Sequence, residues 1–166
     1  MPNLFCYDVN MRLSIRKAKL SELPVVQELN SLLFVSDSAH DPLLNLDWPK
    51  QEVGENYFKD KITGKSGVCF VAIADKKIVG YLAGSADSIA PEYRNAIVGN
   101  LNNMLVLKDY RGKGVGTKLI AKFTKWCKAM GVEKCSVSAY ANNTDAVAFY
   151  RKCGFYDYSV RLEIDL

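Results

Sequence analysis

Apolar residues along the chain recur with two rhythms, period two and period 3.6, and their order predicts the architecture. In residues 12–17, Leu13 and Ile15 alternate with polar neighbours, which predicts a first strand. Ser21 is placed to cap a helix, Glu22 adds negative charge to its first turn, and Leu23, Val26, Leu29, Leu32 and Leu33 form its apolar stripe. Residues 35–48 read as irregular, with a second helix after Pro49. Two apolar runs, 68–74 and 78–83, flank Asp75-Lys76-Lys77 and read as a hairpin. A polar connection through residues 91–94 leads to a strand over 96–107.

The most regular helix signal follows. Val115, Leu119, Ile120, Phe123, Trp126, Cys127 and Met130 share one face, with Gly131 placed to end the helix. Residues 134–140 alternate as a strand. Asn143 can cap a last helix that presents Ala146, Phe149, Tyr150 and Cys153 at i, i+3, i+4 and i+7, Gly154 ends it, and two short strands finish the chain. Strands alternating with helices after a hairpin predict an α/β (α+β) chain, with a mixed sheet of about seven strands flanked by about four helices. No repeat or low-complexity linker divides it. Residues 1–10 read as an irregular extension and 11–166 as one domain, in line with a length of 166 residues.

Composition narrows the classes. No apolar run approaches the roughly 20 residues of a membrane span, and the start of the chain does not read as a secretory leader. The five cysteines, Cys6, Cys69, Cys127, Cys135 and Cys153, have no zinc or redox spacing. We expect reduced thiols in a cytoplasmic protein, with no metal and no membrane partner. The net charge of +4 is unevenly spread, because residues 108–128 carry seven basic side chains against Asp109 alone. Such a local cluster points to a compact polyanion rather than to nucleic acid, which usually meets basic residues spread over a face.

The cluster opens on Arg111-Gly112-Lys113-Gly114-Val115-Gly116-Thr117, between a predicted strand and a predicted helix. Glycines there let successive N–H groups face outward at a helix start, a setting suited to a pyrophosphate, to which Arg111 and Lys113 can add charge. The spacing is neither the GxxxxGK[ST] of a P-loop nor the GxGxxG of a dinucleotide fold. It is [QR]xxGxG, and with Met104-Leu105-Val106 before it the segment resembles the acetyl-CoA site of the GNAT superfamily of N-acetyltransferases. Residues 143–155, beginning Asn143-Thr144-Asp145-Ala146 and ending Gly154-Phe155, are similar to that family's NxxAxxFYxxxGF block.

The resemblance implies a mostly antiparallel GNAT-like sheet and acetyl-CoA as acyl donor. It implies that the backbone of Met104, Leu105 and Val106 pairs with pantetheine and that residues 111–117 cradle pyrophosphate. Asn143 would then hydrogen-bond the cofactor arm, and the Tyr150 hydroxyl would lie near the thioester sulfur. A tyrosine, with an ordinary pKa of about 10, can protonate a departing thiolate without ionising first.

The glutamate that many members carry on the central strand is missing, since residues 99–103 read Gly-Asn-Leu-Asn-Asn. Asn100 and Asn102 alternate onto one face and can orient a water or hold substrate, but an amide removes no proton. A lysine-like amine, pKa about 10.4, therefore suits such a site less well than an α-amine near 7.8. Residues 34–56 hold Asp37, Asp41, Asp47, Glu52 and Glu55 against Lys50, together with His40 and Trp48. This segment is expected to receive a cationic amine, with Asp41 and Asp47 as its carboxylates and His40 able to act as a base near pH 7. The expected activity is N-acetylation of a small-molecule or peptide amine by a monomer or homodimer. The alternative is a non-catalytic acyl-CoA-binding sensor.

Overall fold

A computed structural model describes residues 11–88 and 96–166. The expectations for residues 1–10 and for the 91–94 connection lie outside those residues. The elements in chain order are β1 (Leu13–Lys17), α1 (Leu23–Asp37), α2 (Glu52–Thr63), β2 (Gly67–Ala74), β3 (Lys77–Ser88), β4 (Ile97–Val106), α3 (Val115–Ala129), β5 (Lys134–Val137) and α4 (Thr144–Lys152). Strands β1 to β4 pair antiparallel in sequence order, and β5 joins β4 in parallel.

The continuous apolar run of β2 arises because both faces of the sheet are covered. Val68, Phe70, Ala72 and Ala74 pack with Leu119, Ile120 and Phe123 of α3, whereas Cys69 and Val71 pack with Val26 and Leu29 of α1 and Phe58 of α2. Each of these large side chains is withdrawn from water, which stabilises by about 1.5–3 kcal/mol apiece. The β2–β3 connection needs only Asp75 and Lys76, both with positive φ (49° and 67°), the conformation a two-residue hairpin turn demands.

Four expectations are corrected. The described residues form five strands rather than about seven: residues 155–166 are in neither helix nor strand, and β5 ends at Val137 instead of reaching Tyr140. Ser21 does not cap α1. A short 3-10 turn, Leu20–Glu22, precedes the helix, and Glu22 accepts from the Lys19 amide (2.8 Å) and from both Arg16 guanidinium nitrogens (2.8 and 2.6 Å). Leu32 is 50% exposed, because the inward stripe of α1 runs through Asn30 instead. Finally, α1 continues to Asp37, three residues into the segment expected to be irregular.

Candidate functional site

At the end of β4 the chain makes a 3-10 turn, Lys108–Tyr110, and enters the glycine loop. Gly112 and Gly114 have φ of +72° and +78°, with open space where a Cβ would stand, so the left-handed backbone and not crowding selects glycine. Left-handed residues interleaved with ordinary ones turn neighbouring N–H groups toward one concavity, and the first turn of α3 adds its unbonded amides. Arg111 donates from Nε to the Val106 carbonyl (2.9 Å), and Lys113 Nζ lies 5.7 Å from the Tyr110 ring centroid. At Gly116 a Cβ would meet Phe149 Cζ at 2.9 Å, so this glycine lets α4 sit against the start of α3. The exposed, cationic, amide-lined turn fits a pyrophosphate.

Next to the loop the sheet opens. Strand β5 pairs with β4 only from Val98 to Leu101, and the β3–β4 register steps from Ala83↔Asn103 to Gly84↔Leu101, leaving Asn102 unopposed as a β-bulge. Pairing to β5 therefore stops where β4 bends, and residues 102–106 run on with a backbone edge free of β5. The bulge also reverses the alternation: Leu101 packs on the α3 side and Leu105 on the side of α1 and α2. A polar cleft of about 180 Å³ at this fork is lined by Asn100, Leu101, Asn102, Ser136, Val137 and Ser138. Ser136 donates to Asn100 Oδ1 (2.7 Å), Ser85 to Asn102 Oδ1 (3.3 Å), and Tyr57 to Asn103 Oδ1 (2.9 Å). Asn103 and Tyr57 were not singled out in the sequence, because an alternating strand would turn Asn103 to the opposite face.

Asn143 caps α4 as its pattern predicts, with Oδ1 accepting from the Ala146 amide (3.2 Å), which leaves its NH₂ to donate elsewhere. Tyr150, on the face of α4 toward Phe155, has its hydroxyl pushed up to about 12, chiefly by burial and then by the charge of Asp37. It stays protonated throughout the physiological range, and so remains a hydrogen-bond donor.

The same Asp37 links the far wall. On α1, Val26, Asn30, Leu33 and Asp37 fall at i, i+4, i+7 and i+11, a stripe that begins apolar and ends on a carboxyl group. Asn30 donates from Nδ2 to the fully buried Tyr81 hydroxyl (2.7 Å). Burial raises the Asp37 carboxyl above the usual carboxylate range, and its charge is felt at Tyr81, Tyr140 and Tyr150. Just beyond it, the amides of His40 and Asp41 donate to the Asp37 carbonyl (2.8 and 3.0 Å), the Tyr140 hydroxyl donates to Asp41 Oδ2 (3.3 Å), and His40 stacks on Tyr140 with centroids 5.8 Å apart. Asp47 lies in the turn before α2, where its backbone carbonyl accepts from the amides of Lys50 and Gln51, and Glu55 pairs with Lys59 on the surface. The i, i+7 spacing of Asn30 and Asp37 was the available signal for this wall.

The buried thiol of Cys69 is pushed up to about 12 by desolvation. Among the described residues no cluster of three metal-ligating side chains occurs, and no helix is long and apolar enough to cross a membrane.

Comparisons with known proteins point to one family. The sequence pattern of the Acetyltransferase (GNAT) family matches residues 32–155. An uncharacterized N-acetyltransferase of Bacillus subtilis (strain 168) is 40% identical over 57 residues, 34% of this chain and 23% of the relative. An N-alpha-acetyltransferase of Arabidopsis thaliana is 28% identical over 88 residues, 53% of this chain and 44% of the relative. The chain therefore aligns with less than half the length of either. Among solved structures, an aminoglycoside N-acetyltransferase in complex with CoA superposes with a TM-score of 0.73 at 18% identity, covering 95% of this chain and 96% of that one.

Proposed function

The chain belongs to the acetyltransferase (GNAT) family, and on that premise we propose that it moves an acetyl group from acetyl-CoA to a primary amine of a small cationic molecule, by direct attack and without a covalent enzyme intermediate. The observation that carries this reading is the coincidence of the Asn102 bulge with the end of β4–β5 pairing. It leaves a strand edge leading from the glycine loop to the polar fork lined by Asn100, Asn102, Ser136 and Ser138.

In this reading the amides of residues 111–117 hold the pyrophosphate, with Arg111 and Lys113 adding charge. The backbone of Met104, Leu105 and Val106 pairs with the pantetheine amides as a missing strand would, and Asn143 donates its NH₂ to the same arm. Backbone N–H groups at the bulge polarise the thioester carbonyl. Asp37 supplies the base that the central strand lacks: a carboxyl raised by burial is better matched to taking a proton from an ammonium than an ordinary aspartate. Once the amine is neutral, its nitrogen bonds the carbonyl carbon and the carbon–sulfur bond breaks. Tyr150 then donates its hydroxyl hydrogen to the departing sulfur and regains a proton from the acylated nitrogen, leaving a neutral amide and the free thiol of CoA, while Asn102 holds the acceptor or its water. Asp41, anchored by Tyr140, draws in the cation.

Relatives named for α-amine and aminoglycoside acetylation support an amine acceptor. The test is a panel of amines, including aminoglycosides, polyamines, free amino acids and peptide α-amines, incubated with acetyl-CoA and read by thiol release and by a mass gain of about 42 Da, the exchange of H for acetyl. Saturable release that falls at least about 10²-fold in Tyr150→Phe and Asp37→Asn is expected, the usual scale for losing a general acid or base. Tight acetyl-CoA binding with no release for any amine would favour the sensor reading instead.

A further inference from the structure

Two cysteines close in the sequence meet where α3 hands over to β5. Cys127, in the last turn of α3, is fully buried, and Cys135, the second residue of β5, is partly exposed. Between them the chain turns back at Gly131 (φ +73°), with the Val132 amide donating to the Cys127 carbonyl (3.0 Å). Both side chains therefore enter the same layer, the core between α3 and the sheet.

Gly99 of β4 makes the room for them. It stands opposite Cys135 in the parallel ladder, and a Cβ on it would lie 2.6 Å from Cys127 Sγ and 3.3 Å from Cys135 Sγ. The two sulfurs thus crowd the space that this glycine leaves, and the Cys127 thiol hydrogen-bonds the Cys135 sulfur. That bond, and then the charge of Lys128, hold the Cys135 thiol below its ordinary range against the effect of burial. The same bond, followed by burial, pushes the Cys127 thiol up. A lowered, partly exposed thiol beside a second sulfur is the setting of a reactive cysteine, whereas Cys69, buried on the other face of the sheet, has that of an inert one.

We propose that Cys127 and Cys135 are a site of oxidative modification, an internal dithiol that peroxide converts to a disulfide between α3 and β5. The Cys135 sulfur attacks one peroxide oxygen, the O–O bond breaks, hydroxide leaves, and Cys135 becomes a sulfenic acid. The Cys127 sulfur then displaces that hydroxyl, its own proton leaving with it as water, and the S–S bond closes. Both thiols are oxidised, and the peroxide is reduced to water. The movement this needs falls on β5, a strand of four residues paired to β4, rather than on buried α3. The bond would fix the residues that follow Cys135, and Ser136 and Val137 among them line one wall of the fork.

The test is the full chain treated with hydrogen peroxide, blocked with N-ethylmaleimide and digested with trypsin. The expected product is the peptide of residues 126–128 joined to that of residues 135–151, lighter by two hydrogens than the pair and separated by dithiothreitol. Cys127→Ala should leave Cys135 as a sulfenic acid that dimedone captures, and Cys135→Ser should leave Cys127 unmodified. With the bond closed, the melting temperature should rise by about 5 °C, because the cross-link closes a short loop, and the amides of residues 132–138 should exchange more slowly. Cys135 driven to sulfinic acid with Cys127 still free overturns the inference, as does a link from Cys135 to any other cysteine. So do two thiols that stay reduced under peroxide that oxidises free cysteine, or a disulfide that lowers the melting temperature.

Discussion

Two parts of the molecule share one sheet and differ sharply in burial. From Ala18 to Cys127 the chain holds every fully buried side chain among the described residues. From Lys128 onward, through β5, α4 and residues 155–166, there is none. Yet the second part carries Asn143, Tyr140, Tyr150 and one wall of the fork. The scaffold is thus made by β1 to β4 with three helices, and the chemistry hangs on a layer that its own contacts hold loosely. A site lined by half-buried elements gains order from what it binds, which lets one ligand both fill the fork and stabilise the layer beside it.

The largest effect should come from the buried part. Phe123→Ala, which empties a fully buried site between α3 and the sheet, should cost about 3–5 kcal/mol by urea unfolding. Phe149→Ala, on half-buried α4, should cost less than half of that, and equal losses would erase the contrast. Next in size, acetyl-CoA at about 100 times its Kd should add about 2.7 kcal/mol. Hydrogen exchange should place the protection in residues 111–117 and 134–152, leaving β2 and β3 unchanged. Protection spread evenly over the sheet would contradict the division drawn above.

A smaller effect belongs to the Arg16–Glu22 pair, which ties β1 to the start of α1. The guanidinium contacts hold the Glu22 carboxyl at about 2. A depressed carboxylate pKa contributes stability that is complete above the unfolded value near 4.5 and is lost as pH falls through about 2. Since Arg16 is 38% exposed, Glu22→Gln should cost only about 1 kcal/mol at pH 7. Thermal melts of mutant and wild type should converge below pH 2.

The smallest expected change has the opposite sign. The Asp37 carboxyl is raised, so the folded chain holds its proton more tightly than the unfolded one. Stability therefore declines as pH climbs from the ordinary carboxylate range through that raised value. Asp37→Asn should melt slightly higher than wild type at pH 7 while losing acetyl transfer. A lower melting temperature would mean that the carboxylate is a structural tie.

Much of the frame was legible because it obeys short periods. The α3 stripe, the hairpin at Asp75-Lys76, the Asn143 cap and the left-handed Gly112 and Gly114 each depend on neighbours within about seven residues. The misses have physical causes of a different kind. Ser21 caps nothing because it lies within a 3-10 turn before α1, whose Glu22 carboxylate is held by Arg16 of another element. Leu32 points outward because Asn30 found Tyr81, 51 positions away. The expected final strands are absent because an alternating pattern prepares one face for burial without supplying the strand that covers it.

The sequence alone thus determined the order of strands and helices from β1 to α4, the glycine-bearing turn at residues 111–117, and the apolar stripe of α3, since all follow from local sterics and periodicity. Only the tertiary structure decided that β4 bulges at Asn102, that Asn103 turns to meet Tyr57 of α2, and that Tyr140 reaches Asp41. These depend on register and on contacts between residues dozens to more than a hundred positions apart, and a one-residue step in register changes which face every later side chain occupies.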